Sequence, residues 1–482
     1  MACTTILVGK KASYDGSTII ARNDDSGAGN YTPKKYVIIN PCDQPRKYTT
    51  VISHLTMDLP DNPVRYSATP NVDNKNGIWC AAGINEYEVG MSATETITSN
   101  PRVLSGDPLV VYDEEKNIPG GIGEEDIVHI VLPYIKSAKE GVYRLGELLE
   151  KYGTYEMNGI AFCDKDEIWY METIGGHHYI AKRVEDDEYV VMPNQLGIDE
   201  FDIEDGLGKQ EKHICSKDLK EFIDKNHLNL NNDDEFNVRL AFGSHDDSDH
   251  IYNTPRAWYM LKYFNLNLCD WNADYTPESD ELPFSLVPER KITIEDVKYI
   301  LSSHFQGTPF DPYLSYGDKS LAGKYRSIGV NRTDDLEIIQ MRPYALPIEW
   351  QCFGSNVFNV AIPQYTCVNK TPAFLNSTTN DVSTNSFYWV SRLIGTLADA
   401  SYKDCLNLIE RYQLKGATVG QMLVKKYDEV LKDLDGDKLL EEAIKANQEI
   451  ADEFEKLSID TLNKVLKAAS NNMKNAFSRS DA

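Results

Sequence analysis

A cysteine stands at position 3 of the chain, at the head of a β-branched run, CTTILVG over residues 3–9. If the two residues before it are removed, its α-amine has a reference pKa of about 7.7–8.0, close to the thiol's ~8.5, and can take the thiol proton directly or through a water. One residue then supplies both nucleophile and base. Such a centre also needs a cation to hold the thiolate, a carboxylate to orient the pair, and donors for the oxyanion of a tetrahedral intermediate. A second β-branched run, STIIAR over 17–22, follows the turn signal Asp15-Gly16, so the two runs read as a hairpin. Its return strand brings Arg22, and in the turn NDDSG Asp25, toward the amino end of the first strand. A cysteine opening a strand is equally compatible with an ordinary edge residue, and Arg with Asp in a turn with a solvated pair. Together the three residue types point to acyl transfer.

The elements that must hold these groups are strands first and helices later. Further strands are expected at 36–40, 48–53, 77–82, 88–93, 158–163, 166–173, 178–183 and 188–193, and helices at 124–138, 143–151, 216–225, 255–264 and 294–304. Strand character returns over 326–362, and from about 386 the pattern turns helical, ending in a long amphipathic stretch from Val419 to about Ala476. Spans 196–215 and 368–385 read as loops. Consecutive strands with interspersed helices favour antiparallel sheets and an α+β fold over a doubly wound parallel sheet. The chain divides at about residue 385: a first domain over 3–385, with 1–2 removed, and a helical extension over 386–482.

Composition narrows the function. Acids outnumber bases 75 to 49, for a formal charge of −26, which argues against nucleic acid because that binding draws on Lys and Arg neutralising phosphates. No stretch approaches the ~18–20 apolar residues of a membrane span. The opening MACTTILVGKK has neither a positive n-region nor a long h-region, so the expected location is the cytoplasm. Nine cysteines without a CxxC pair suggest neither a zinc ribbon nor a disulfide framework, and most should be reduced and buried. His177 and His178 fall on an expected strand, where neighbouring side chains point to opposite faces and do not converge on one ion. No metal or cofactor is called for.

The opening CTTILVGKKASYDGSTIIARNDDSG resembles the amino terminus of the dipeptidase A family of cysteine N-terminal-nucleophile hydrolases, and its Cys…ARNxD core is similar to that of bile-salt hydrolases and penicillin V acylases. The resemblance runs on through GIWCAAGINEYEVGMSATET (77–96), GIGEEDIVHIVLPYIKSAKEGV (121–142), NGIAFCDKDEIWYMETIGGHHY (158–179), VVMPNQLGI (190–198) and YNTPRAWYMLKYFN (252–265). It implies a four-layer αββα sandwich of two antiparallel sheets. It further implies that Cys3 is the nucleophile, Arg22 the guanidinium beside its sulfur, Asp25 the carboxylate on the α-amine, Asn194 an oxyanion-hole amide and Arg256 a second arginine near the nucleophile. The second oxyanion donor should come from MSATET, through Thr94 or a neighbouring backbone N–H. Asp24 or Glu95 are candidates to receive a substrate ammonium.

The function that follows is hydrolysis of unblocked dipeptides through a thioester, after the bond between Ala2 and Cys3 is cut, in a chain expected to form a homo-oligomer. The competing readings are an acylase of non-peptide amides, of the penicillin V or bile-salt type, and a catalytically silent scaffold of the same fold.

Overall fold

The β-branched opening forms the centre of a sheet. The computed structural model describes residues 3–231, 236–244 and 246–473, the side chain of Thr94 excepted. Its main strands are, in chain order, β1 (Thr4–Val8), β2 (Thr18–Asp25), β3 (Ala82–Ile84), β4 (Gly90–Thr96), β5 (Asn158–Cys163), β6 (Ile168–Ile174) and β7 (His178–Val184). They continue as β8 (Tyr189–Met192), β9 (His213–Cys215), β10 (Ser285–Leu286), β11 (Thr333–Met341), β12 (Ile348–Phe353) and β13 (Ile362–Tyr365). One seven-stranded sheet has the order β10-β8-β1-β2-β11-β12-β13, the other, of six strands, β9-β7-β6-β5-β4-β3. Every strand pair in both sheets is antiparallel.

Alternation along the strands sorts side chains to two faces. Leu7 and Ile20 face the six-stranded sheet, where they share an apolar cluster with Ala161, Tyr170 and Ile180. Ile6, Val8, Ile19 and Ala21 face the other way, into a cluster with the helices α3 (Thr254–Phe264), α4 (Ile294–Leu301), α5 (Phe387–Ala400), α6 (Tyr402–Leu431) and α7 (Gly436–Ser470). A third cluster lies on the far side of the six-stranded sheet, where Ile127 and Val131 of α1 (Glu124–Val131) and Val142 and Leu145 of α2 (Ala138–Tyr152) pack on Phe162 and Trp169. The chain is thus a mixed α/β structure of antiparallel sheets with a helical carboxy-terminal region.

The last helices close the edge of the seven-stranded sheet. Asn447 of α7 accepts from the Tyr365 backbone N–H at 2.9 Å and donates to its carbonyl at 2.8 Å, so a side-chain amide takes the place of a neighbouring strand. Asp428 of α6 takes a two-pronged bond from Arg342, at 2.7 and 2.8 Å. Among the described residues no helix is long and apolar enough to cross a membrane. All nine cysteines are free; six of them are buried, Cys269 and Cys367 partly so, and Cys42 is exposed.

The differences from the sequence reading are local. GIWCAA yields a strand only from Ala82, because Trp79 and Ala81 adopt left-handed φ of 55° and 58°. The helix expected over 124–138 ends at Val131 and passes into a 3-10 turn at Leu132–Tyr134, as Pro133 requires. SIGVNR forms no strand, and the long amphipathic stretch is broken between Leu431 and Gly436, the latter at φ 49°. The span 196–215 contains a short helix, Ile203–Leu207, and the strand β9. His177 lies in the turn before β7, so the imidazoles of His177 and His178 do converge: both Nδ1 atoms bond Asp107, at 2.9 and 2.7 Å. Burial alone would raise the Asp107 carboxyl, but these bonds hold it down at about 2.

Candidate active site

β1 and β2 pair with Thr5 opposite Arg22, so the residues flanking Thr5 and Arg22 at alternate positions, Cys3 and Asp24, project from the same face toward the six-stranded sheet. There Arg22 Nη1 lies 3.1 Å from Cys3 Sγ. The rest of the fork is fixed by the second sheet: Nε donates to Ser92 Oγ at 3.3 Å, and Nη2 to the carbonyls of Ala81 and Ala93 at 3.2 and 2.6 Å. Arginine alone offers this many donors in one rigid plane. Cys3 has no exposed surface. Burial pushes its thiol up; Arg22 opposes that rise, while Glu95, Asp24 and Glu124 add to it.

Carboxylates surround this pair. Asp24 Oδ2 is 2.5 Å from Lys34 Nζ, and its Oδ1 is 3.7 Å from Arg22 Nη1. Burial would raise the Asp24 carboxyl, but Lys34 and then Arg22 hold it below the usual range. Glu95 accepts from Thr5 Oγ1 at 3.1 Å, its other oxygen is buried without a partner, and burial pushes it up to about 8. Glu124 opens the helix Glu124–Val131, with its backbone N–H donating to Glu156 Oε1 at 2.8 Å. Both of its carboxylate oxygens are buried without a hydrogen-bond partner, Arg22 being 4.0 Å away, and burial followed by the Glu156 charge pushes it up to about 7. The helix start is fixed by Gly123, where an added Cβ would fall 2.2 Å from the Tyr155 hydroxyl. One donor atom each from Cys3, Asp24 and Glu124 lie within 4.8 Å of one another, a spacing that a cation can bridge.

Asp25 and Arg256 lie on the opposite face. The hydrogen bonds of Asp25 come from Arg326 Nη2 and, at 2.6 Å, from Thr333 Oγ1. Arg256, fully buried in the first turn of α3, donates from Nη1 to the Cys3 carbonyl and to Thr4 Oγ1 (2.6 Å), and from Nη2 to Asn194 Oδ1 (2.8 Å) and Asn253 Oδ1 (2.6 Å). The β1–β8 register pairs Thr5 with Met192, and extending it by two residues sets Asn194 opposite Cys3. With Asn194 Oδ1 engaged by Arg256, its amide nitrogen is turned to act as a donor.

Six of the eight residues singled out in the sequence, Cys3, Arg22, Asp24, Glu95, Asn194 and Arg256, therefore gather on Cys3, by contact, by charge or by register, while Asp25 is held on the back of β2. Of Thr94 the side chain lies outside the described residues. Sequence reasoning missed Glu124, Lys34, Ser92, Arg326 and Thr333. Only Glu124 left a trace, as the first of three acids in GIGEEDIV, and acids at a helix start are commonplace. A cavity of about 990 Å³ lined by Lys298, Tyr313, Trp350 and Tyr402 includes none of these groups.

A buried thiol clamped by a guanidinium and ringed by carboxylates has the parts of an acyl-transfer centre, and comparison with known proteins gives the class. Residues 2–415 match peptidase family C69, and the chain belongs to that family. It is similar to a dipeptidase of Bifidobacterium longum (strain NCC 2705), 55% identical over 95% of this chain and 88% of that protein. It is also similar to the probable dipeptidase A of Streptococcus pyogenes serotype M3 (strain SSI-1), 49% identical over the whole of both, and to dipeptidase A of Lactobacillus helveticus, 43% identical over 96% of each.

Proposed function

We propose that the chain is a cytoplasmic dipeptidase that hydrolyses unblocked dipeptides, with Cys3 as an amino-terminal nucleophile. The observation that carries this reading is the 3.1 Å approach of Arg22 Nη1 to Cys3 Sγ, at the third residue of a chain whose relatives are named dipeptidases. The fold we assign is the four-layer N-terminal-nucleophile sandwich, which the three separate apolar clusters support.

Maturation comes first. Methionine removal leaves Ala2, and the Cys3 sulfur then attacks the Ala2 carbonyl, breaking its bond to the Cys3 nitrogen and so freeing the α-amine; water cleaves the resulting thioester, releasing alanine and the thiol. In turnover the amine takes the thiol proton while sulfur adds to the peptide carbonyl. The oxyanion is held by the Asn194 amide and a backbone donor of β4, and collapse expels the second amino acid with the proton from the α-ammonium. Water then releases the first. Arg22 holds the thiolate, Arg256 fixes the Cys3 carbonyl and turns Asn194, and Asp25, which the family resemblance assigns to the α-amine, is paired with Arg326.

The test is a panel of unblocked dipeptides and N-acylated amides assayed with wild type and Cys3→Ala, together with intact-mass analysis of the active protein. We expect turnover of the free dipeptides by wild type alone and a chain beginning at Cys3. Peptide turnover by the Cys3→Ala protein refutes the nucleophile, and an active chain that still begins at Ala2 refutes the amine as base. An acylase preferring blocked amides fits less well, because it would place an uncharged acyl group against the Glu124 carboxylate, which accepts no hydrogen bond.

A further inference from the structure

A dipeptidase that prefers unblocked dipeptides must recognise the free amine of its substrate. We infer that Glu124, with Asp24 beside it, receives that ammonium and so sets the preference for unblocked dipeptides; this rests on the dipeptidase reading and deepens it. The sequence offered Asp24 and Glu95 for the role, and the structure gives each of them other engagements. Asp24 is already bonded by Lys34, at 2.5 Å, and lies 3.7 Å from Arg22. Glu95 has one oxygen bonded by Thr5 and is not among the three groups whose donor atoms lie within 4.8 Å of one another. Glu124 is 5% exposed, neither of its oxygens has a hydrogen-bond partner, and one lies within 4.8 Å of both Cys3 Sγ and an Asp24 oxygen.

Such a carboxylate is costly to fold around unless a ligand completes it. Its distance fits one amino-acid residue. In a dipeptide the amine nitrogen is about 2.5 Å from the reacting carbonyl carbon, from bonds of about 1.46 and 1.52 Å and an angle of about 111°. The sulfur approaches that carbon to about 3–3.5 Å, and a charge-assisted N–H···O contact spans about 2.8 Å. A carboxylate oxygen under 5 Å from the sulfur can therefore close a compact ring through the amine and the carbonyl carbon. An N-terminal extension by one further residue would carry the amine past it, and an acyl cap would remove the charge it needs.

The ligand is a monocation on charge grounds. Lys34 is bonded to Asp24 and Arg22 lies against the thiol, so of the two carboxylates beside the sulfur only Glu124 accepts no hydrogen bond from a cation, Arg22 being 4.0 Å from it. An ammonium balances it; a divalent metal would leave an excess positive charge between Arg22 and Lys34.

The test measures kcat and KM for one dipeptide, its N-acetyl form and its des-amino analogue, with wild type and Glu124→Gln. For the free dipeptide the variant should lose about 10- to 100-fold in kcat/KM, the worth of one charge-assisted hydrogen bond, mainly through KM. The des-amino analogue should be cleaved equally by both proteins. Equal losses on all three substrates, or a preference for the free amine that survives Glu124→Gln, overturns the assignment of Glu124 while leaving a dipeptidase. A wild type inert toward free dipeptides overturns the dipeptidase reading and this one with it. Where Glu124→Gln does not fold, Glu124→Asp serves: it keeps the charge one methylene further back, and should weaken the preference without abolishing it. An unchanged preference there overturns the assignment.

Discussion

Arg22 offers the sharpest test of how the thiol is activated. Its Nη1 lies 3.1 Å from Sγ, and at an effective dielectric of about 20 the attraction between the guanidinium and a thiolate is about 5 kcal/mol. That is a ceiling, since Arg22 is itself buried. A neighbouring opposite charge shifts a pKa by about 1–3 units, or about 1.4–4 kcal/mol. Burial drives the Cys3 thiol upward and Arg22 is the opposing influence, so Arg22→Met should raise it further. At neutral pH the thiolate fraction, and with it the rate of alkylation by iodoacetamide, should fall by about 10- to 1,000-fold. Arg22→Lys keeps the charge but not the planar fork, so it should fall between the two. The assay is intact-mass alkylation of Cys3 against pH, with kcat/KM for a dipeptide alongside. Both variants leave the Ala81 and Ala93 carbonyls short of a donor, at about 1–3 kcal/mol each, so urea midpoints must be measured in parallel. An Arg22→Met alkylation profile that overlays the wild-type one refutes the reasoning, whatever happens to stability.

Lys34 and Asp24 form a buried pair, and Lys34→Met should lower stability by about 3–5 kcal/mol by leaving the carboxylate unpaired. In the wild type Asp24, held low, contributes stability above its unfolded value of about 3.9 that is lost as pH falls through the folded one; in the variant acid unfolding should begin at higher pH, and an unchanged urea midpoint at pH 7 would contradict this. Burial pushes Glu124, Glu172 and Glu349 up to about 7, and Glu95 and Glu125 up to about 8, so the folded chain binds protons that the unfolded chain releases. Their contribution is full below about pH 4.3 and is lost as pH rises through 7–8. His129, pushed down to about 4 by burial, opposes this only below about 6.5, and Lys298, pushed down to about 8 by burial, only above 8. Between about pH 6.5 and 8 the denaturant midpoint of ligand-free protein should therefore fall, and a flat or rising midpoint counts against the buried acids. Asp428→Ala, which removes the clasp from Arg342 and Tyr365, should cost about 1–3 kcal/mol in urea unfolding and leave kcat/KM unchanged.

What could be read from the sequence was what neighbours in the chain decide. The first hairpin is local, with two alternating β-branched runs about an Asp-Gly turn, and it set Arg22 beside Cys3 before any tertiary contact was considered. The helix over Thr254–Phe264 was equally plain from its Thr-Pro opening and apolar spacing. The strand expected at 77–82 failed because two left-handed residues, Trp79 and Ala81, are imposed by the path of the chain past the site and leave no mark on residue type. Glu124 was read only as part of an amphipathic helix, since an acid in a first turn is favoured by the helix dipole wherever the helix lies. Its burial comes from packing against β4, some thirty residues earlier, and Lys34 meets Asp24 from a segment in no strand.

The distribution of buried charge explains why such a site should prefer a zwitterion. Arg22, Lys34, Arg256 and Arg326 face Asp24, Asp25, Glu95 and Glu124, and all eight are less than a tenth exposed. Most of these charges are paired: Lys34 and Arg22 with Asp24, Arg326 with Asp25. The hydrogen bonds of Arg256 go to carbonyl, hydroxyl and amide oxygens and to no carboxylate, Glu95 accepts only from Thr5, and the Glu124 carboxylate accepts no hydrogen bond, with Arg22 4.0 Å away. The Arg256 charge stands behind the Cys3 carbonyl and Asn194, where an oxyanion would develop, and the Glu124 charge stands where a substrate amine would arrive. A dipeptide entering this site brings its own ammonium to the second and, on attack, generates the anion that the first can stabilise. An N-acylated amide brings the anion but not the ammonium, and leaves Glu124 buried and unmatched. Discrimination would then arise from a carboxylate that folding leaves unsatisfied, more than from any wall that a blocking group must strike.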